Sequence, residues 1–438
     1  MAGTGPASGG VARLVGLLRG SLPEGALVIG GALVAQGISL YAYLAIVSRA
    51  LGPALYSPLS ALWALVFVAA PGLFLPLEQE TGRALAARRV RGVGGGPVVV
   101  RAGTVGAGLV GALIVVAVAG NGPITDRLFD GDGLLLVGLV VAIVCYSSYY
   151  LLRGSLAGNG RFGGYATLLG IESSVRVVVT LALAVAGVKT AWIFSLGIGL
   201  PCAVAAGVMV VRERGLAPPG PAAAWTEISS ALTQLLAGSL LAQTLSNIGP
   251  LAVKVIATDD SGAAGRFLDN LIVARVPLFF FQAVQAALLP KLAAQAAAGL
   301  IDEFAAGLRR LLFLLGGVLV VAALGMAAVG PIVVRVLFGS GYQLDRADLV
   351  LLACGSEGMM ICLSLAQGCI ALGAYGRMVA GWACGIGAVA VLLAVLPGVV
   401  RRADVAFAGG VAVASTALGV ALLSRLAALR RERAASQA

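Results

Sequence analysis

Twelve stretches of this chain are each apolar enough and long enough to cross a bilayer, and little is left between them for a water-soluble domain. About 20 apolar residues span a hydrocarbon core of roughly 30 Å. Residues 26–48, ALVIGGALVAQGISLYAYLAIVS, do so without a charge. Further spans are read at 58–77, 98–119, 133–152, 165–187, 190–211, 229–256, 267–290, 308–333, 347–373, 376–398 and 405–427. With 60% hydrophobic and 11% charged residues over 438 positions, the chain has too little polar surface to clothe a soluble core. The expected fold is an all-α polytopic membrane protein of about 12 transmembrane helices.

A net charge of +11 raises the question of nucleic acid. The arginines stand between apolar runs, with no basic face interleaved with aromatics, so no nucleic-acid partner is expected. Membrane orientation accounts for the excess. With the N-terminus inside, 19 basic residues fall in cytoplasmic segments and nine on the other side, where Asp126, Asp130, Asp132, Asp259, Asp260, Asp345, Asp348 and Asp404 dilute them. This bias places both termini in the cytoplasm. Of the 30 basic residues only Lys189, Lys254 and Lys291 are lysine, which together with the Gly and Ala excess points to a GC-rich bacterial genome and a bacterial cytoplasmic membrane. The first 25 residues lack an apolar core followed by a cleavage site and read as a retained tail rather than a cleaved signal.

The polar stretch RERGLAPPGPAAAWTE at 212–227 falls between the sixth and seventh spans. It divides the chain into a tail at 1–21, a six-helix lobe at 22–211, a cytoplasmic linker at 212–225, a second six-helix lobe at 226–427 and a basic tail at 428–438. The halves resemble each other. The fourth span ends Arg153-Gly154-Ser155-Leu156-Ala157-Gly158-Asn159-Gly160-Arg161, and the tenth ends Gln367-Gly368-Cys369-Ile370-Ala371-Leu372-Gly373-Ala374-Tyr375-Gly376-Arg377. Copies six spans apart run in the same direction, so two pseudo-symmetric lobes around a central cavity are expected.

Chemistry is sparse. No phosphate-binding Gly-x-x-x-x-Gly-Lys-Ser/Thr occurs, histidine is absent, and the six cysteines all lie inside apolar runs. No enzyme activity, metal or cofactor is expected. Ionisable groups inside the spans are the informative residues, because each costs roughly 2.5–3.5 kcal/mol at a helix centre unless paired or hydrated. Glu172 and Arg176 stand at i, i+4 in the fifth span, which suits a structural bridge as well as a cavity-lining pair. Arg275 lies in the eighth span two residues before Pro277 with no acid at i±3 or i±4, and Asn270 precedes it. It should find an anion across a cavity. Glu357 in the tenth span is a candidate partner for Arg275 or a coupling-proton site. Gln282, with Gln36, Gln243 and Asn247, suits either the same path or polar packing between helices. Asp269 is expected at the membrane interface, and Glu78 and Glu80 as solvated ends of the second span.

Several motifs resemble one family. Ser48-Arg49-Ala50-Leu51-Gly52-Pro53-Ala54-Leu55-Tyr56 is similar to the opening of polysaccharide flippases in the multidrug/oligosaccharidyl-lipid/polysaccharide (MOP) exporter superfamily. Arg153 through Phe162 resembles their fourth-span signature, Leu337-Phe338-Gly339-Ser340-Gly341-Tyr342 their loop before the tenth span, and Pro277 through Pro290 their eighth span. The chain departs from the pattern at Ser57-Pro58, where the family has glycine after the tyrosine. The resemblance implies a flippase that moves a polyprenyl-diphosphate-linked saccharide, or a related envelope glycolipid, across the membrane by alternating access. Arg275 and Arg176 would attract the diphosphate. Membrane lipids, Na+ or H+ as coupling ion, and a glycan polymerase or glycosyltransferases are the implied partners. The alternatives are a cation-coupled multidrug or metabolite antiporter centred on Glu172 or Glu357, and a non-transporting scaffold for envelope synthesis.

Overall fold

The computed structural model describes residues 26–227, 232–257 and 259–437. The N-terminal tail and residues 228–231, 258 and 438 lie outside the described residues. All regular structure among the described residues is helical.

Nine helices among the described residues are long and apolar enough to cross a membrane. Physical length turns nine into twelve. The first, Val28–Val90, has 63 residues, about 95 Å at 1.5 Å per residue, three times a hydrocarbon core. Gly52 interrupts it with φ 75° and ψ 168°, a conformation essentially closed to residues bearing a Cβ. Ala50 before the break accepts a hydrogen bond from Lys189, and Ser57 after it from Lys254. Both sides of Gly52 therefore meet loops of the same face, and the chain reverses there. Leu232–Ile256 supplies the seventh span. Its Gln234, Gln243, Asn247 and Lys254 make it less apolar than its neighbours. The eighth is broken into Ala263–Ala274 and Val276–Ala297. The rest are Gly96–Ala119, Gly133–Gly158, Phe162–Val185, Ala191–Arg212, Ile301–Phe338, Arg346–Ala371, Tyr375–Val395 and Val400–Gln437.

Two ends differ from the sequence expectation. The second span, placed at 58–77, continues as helix to Val90, because LPLEQETGRALAARRV carries strong helix formers past the apolar run. The basic tail expected at 428–438 continues the twelfth helix to Gln437. There Arg430 pairs with Asp302 at 2.7 Å.

The two halves pack alike. In the first, span one lies on five and six, two on four, three on four, four on six, and five on six. In the second, seven lies on eleven and twelve, eight on ten, nine on ten, ten on twelve, and eleven on twelve. Every pairing recurs six spans later, as expected for a duplicated six-helix unit. Spans one and two meet seven and eight along the seam between the lobes.

The linker is strapped to the first lobe. Arg161 pairs with Glu213 at 2.8 Å, Asn159 donates to the Leu216 carbonyl, and the Gly96 amide donates to Pro218. Buried Arg88 then gathers the Gly94, Pro221 and Ala222 carbonyls and both oxygens of Glu227. This face of the molecule, where the linker lies, is termed the linker face. Hydrogen bonds from Arg88 hold the Glu227 carboxyl down to about 2 from its ordinary 4.5. A depressed carboxyl pKa stabilises the docked strap fully above about 4.5 and loses that contribution as pH falls through about 2. Arg88→Ala should release the linker at neutral pH and speed tryptic cleavage at Arg212 and Arg214, while cleavage elsewhere stays unchanged.

Candidate functional site

The first polar cluster is sealed inside the first lobe. Glu172 and Arg176 form an ion pair one turn apart, 0% and 1% exposed. Gln36 from the first span donates to Glu172 at 3.1 Å and to the Tyr149 hydroxyl at 3.2 Å. Arg176 reaches the Tyr146 hydroxyl at 3.3 Å and the Ile198 carbonyl at 3.5 Å. Spans one, four, five and six thus enclose it.

The second cluster lies on the seam. Pro277 has no N–H to offer the Val273 carbonyl, and the eighth helix breaks just before it. Arg275 occupies the break, closing one helix and opening the next. Its half-buried guanidinium donates to Asn247 Oδ1 at 3.0 Å and to the Ser246 carbonyl, both on the seventh span, while its Nε has no hydrogen-bond partner. From the other lobe, Tyr41 donates to the Ile272 carbonyl beside the break at 2.9 Å. Phe279, one turn past the break, sits edge-on to Tyr41 with centroids 6.4 Å apart. Its ring occupies the space a Cβ at Gly37 would need, so a larger residue there would have to displace the Phe279 ring. Glu357 is fully buried and neither carboxylate oxygen has a hydrogen-bond partner among the described residues.

The third cluster closes the seam at the face opposite the linker. Tyr56 donates to Asp269 at 2.8 Å, Tyr342 donates to the Ser48 carbonyl at 2.6 Å, and Asn270 donates to the Tyr342 carbonyl at 2.7 Å. Arg49 donates to the Leu337 carbonyl at 2.7 Å and also to Val336. The Tyr56 and Tyr342 rings meet edge to face, 6.1 Å apart. Beside them Lys254 pairs with Asp130 at 2.7 Å.

These positions revise several sequence expectations. Arg275 and Glu357 form no ion pair among the described residues; the arginine donates instead to Asn247 Oδ1 and the Ser246 carbonyl of the seventh span. Arg176 and Arg275 share no partner, because the fifth span turns Arg176 into its own lobe. Asn270 belongs to the seam closure rather than to the Arg275 group. The Gln282 side chain lies outside the described residues. Asp269, expected at the membrane interface, is fully buried against Tyr56. Glu78, expected to be solvated, is buried and pairs with Arg153 at 3.3 Å beneath Tyr165. Tyr56 and Tyr342 were present in the family-like motifs, but nothing in their spacing announced that they would meet.

No family model matches the chain. An uncharacterised protein of Mycobacterium tuberculosis is 26% identical over 385 residues, covering 83% of this chain and 84% of the relative. A second uncharacterised protein of the same organism is 26% identical over 426 residues, 93% of each. Among solved structures, the inward-facing conformation of a multidrug resistance MATE family transporter of the MOP superfamily matches 93% of this chain and 99% of its own, with a TM-score of 0.67 at 15% identity. The outward-facing conformation of a MATE family transporter covers 94% and 100% with a TM-score of 0.56 at 16% identity. The Vibrio cholerae MATE transporter VcmN in its bent form covers 93% and 97% with a TM-score of 0.59. The chain is a multi-pass membrane protein with the two-lobed fold of MATE transporters of the MOP superfamily.

Breaking a buried ion pair by removing one partner typically costs about 3–5 kcal/mol. Glu172→Gln should therefore lower the thermal unfolding midpoint of the purified protein sharply, and Glu172→Leu with Arg176→Met should recover much of it. At the seam, Tyr342→Phe removes one hydrogen bond of about 1 kcal/mol, a factor of about five in the ratio of closed to open seam. A cysteine placed at Ser48 should then be labelled several times faster by a membrane-impermeant maleimide.

Proposed function

We propose that the chain is a transporter working by alternating access, with the linker face in the cytoplasm and a lipid-linked saccharide as its cargo. The observation that carries this reading is Arg275, a guanidinium on the seam between the lobes with no carboxylate partner among the described residues. A diphosphate cannot enter hydrocarbon unaccompanied, and a guanidinium offers it paired N–H donors in a fixed plane. The family-like motifs and the fold agree with such a carrier. The closed seam on the far face agrees with the greater likeness to the inward-facing structure.

On this reading the lobes at 22–211 and 226–427 rock about the seam while the polyprenyl tail stays in the bilayer. A glycan polymerase or glycosyltransferases would supply or consume the cargo. A second reading has its own observation. Glu357, buried and without a hydrogen-bond donor, suits a group that takes up H+ or Na+ in a cation-coupled drug or metabolite antiporter. The two readings assign different central residues.

In proteoliposomes carrying a fluorescent undecaprenyl-diphosphate saccharide, Arg275→Ala should slow translocation at least tenfold, and Arg275→Lys should retain part of it. Unimpaired translocation by Arg275→Ala would remove the anion anchor. Drug efflux that requires Glu357 and tolerates Arg275→Ala would select the antiporter instead.

A further inference from the structure

The linker does more than join the lobes. Its segment from Pro219 to Trp225 descends along the outward side of the third span and leaves a recess of about 630 Å³ between them. Gly96, Val100 and Thr104 recur every fourth residue on the wall of this recess, so one helix face lines it over about 12 Å at 1.5 Å per residue. Most of the third span faces outward, which puts the recess against lipid. Trp225 closes its rim and is 63% exposed, the position at which an indole favours the headgroup layer.

Arg101 is the charge in the recess. Its guanidinium lies 4.3 Å from the centroid of the Trp225 ring and donates to the Ala223 carbonyl. No carboxylate pairs with it among the described residues. The acids of the first lobe and linker on this face are committed elsewhere: Glu78 to Arg153, Glu80 to Arg83, Glu213 to Arg161 and Glu227 to Arg88. A cation at headgroup depth, bordered by an indole and an apolar helix face and left without an internal counter-charge, takes its anion from the leaflet.

We infer that this recess is a binding site for an anionic phospholipid of the leaflet on the linker face. The lipid phosphate lies against Arg101, the glycerol region against the Trp225 ring, and one acyl chain along Val100 and Thr104. Selectivity for net negative headgroups follows from the unanswered charge, because a choline headgroup would bring a second cation to Arg101. The site uses neither Arg275 nor Glu357 and does not depend on the identity of the cargo.

The test reads Trp225 in nanodiscs, with the Trp225→Phe protein subtracted to isolate its fluorescence. Phosphatidylglycerol brominated on its acyl chains should quench at a several-fold lower mole fraction than phosphatidylcholine brominated in the same way. Added salt should narrow that gap. Arg101→Ala should abolish it and Arg101→Lys should keep part of it. Equal quenching by the two lipids, or a preference unchanged in Arg101→Ala, overturns the site. Arg101→Gln, which retains a donor for Ala223, guards against loss of linker packing: a full anionic preference in that variant also overturns it.

Discussion

Hydrocarbon cannot answer a hydrogen bond, and the three polar clusters of this protein are arranged around that constraint. A charge inside the bilayer must find its partner within its own lobe, across the seam or in water. Glu172 and Arg176 take the first course and lean on Gln36, Tyr146 and Tyr149 for what remains. The hydrogen bonds and the ion pair of their cluster are all made within the first lobe. Asp269, Tyr342 and Arg49 take the second course, and their partners Tyr56, the Ser48 carbonyl and the 336–337 carbonyls belong to the other lobe or to its loops.

On the proposed alternating-access reading, that difference separates rigid parts from movable ones. A lobe whose charges are internally matched moves as a body, since no internal bond has to break. The seam is held by a short set of polar contacts, each worth on the order of 1 kcal/mol net, because water can replace them once the far face opens. A handful of such contacts can bias a two-state equilibrium without locking it.

Much of this was legible in the sequence. The twelve apolar runs predicted the spans, and the likeness of the fourth and tenth predicted a duplication that the helix packing repeats pair by pair. Arg275 stood out because an arginine beside Pro277 had no helical neighbour of opposite charge. The seam was less legible. Residues 213 positions apart, such as Tyr56 and Asp269, leave no local pattern, and a hydroxyl at the end of a span looks the same whether it meets water or another lobe. Glu78 was misplaced for a related reason: a carboxylate near a helix end reads as solvated until a buried arginine from another span arrives beside it. Gly37 carried no signal either, since its value lies entirely in the Phe279 ring packed against it.

The duplication also links charge to movement. Spans two and eight are equivalent in the two halves, and both are irregular where they meet the opposite lobe. In the second, a π-helical turn at Ala70–Phe74 includes Pro71, whose carbonyl accepts from Ser239 of the seventh span at 3.3 Å. In the eighth, the Ile272 carbonyl beside the break accepts from the Arg275 amide and also from Tyr41 of the first span. Each irregular turn offers a backbone acceptor to a side chain of the other lobe. The helix breaks are therefore also the contact points between lobes, so rotating one lobe against the other requires these turns to change. Only the eighth-span break carries a cation. An anion arriving at Arg275 would compete with Asn247 and the Ser246 carbonyl for its N–H groups, loosening the seventh span from the eighth at the point where the lobes must bend. On the proposed reading, cargo recognition and lobe movement would then act on one residue.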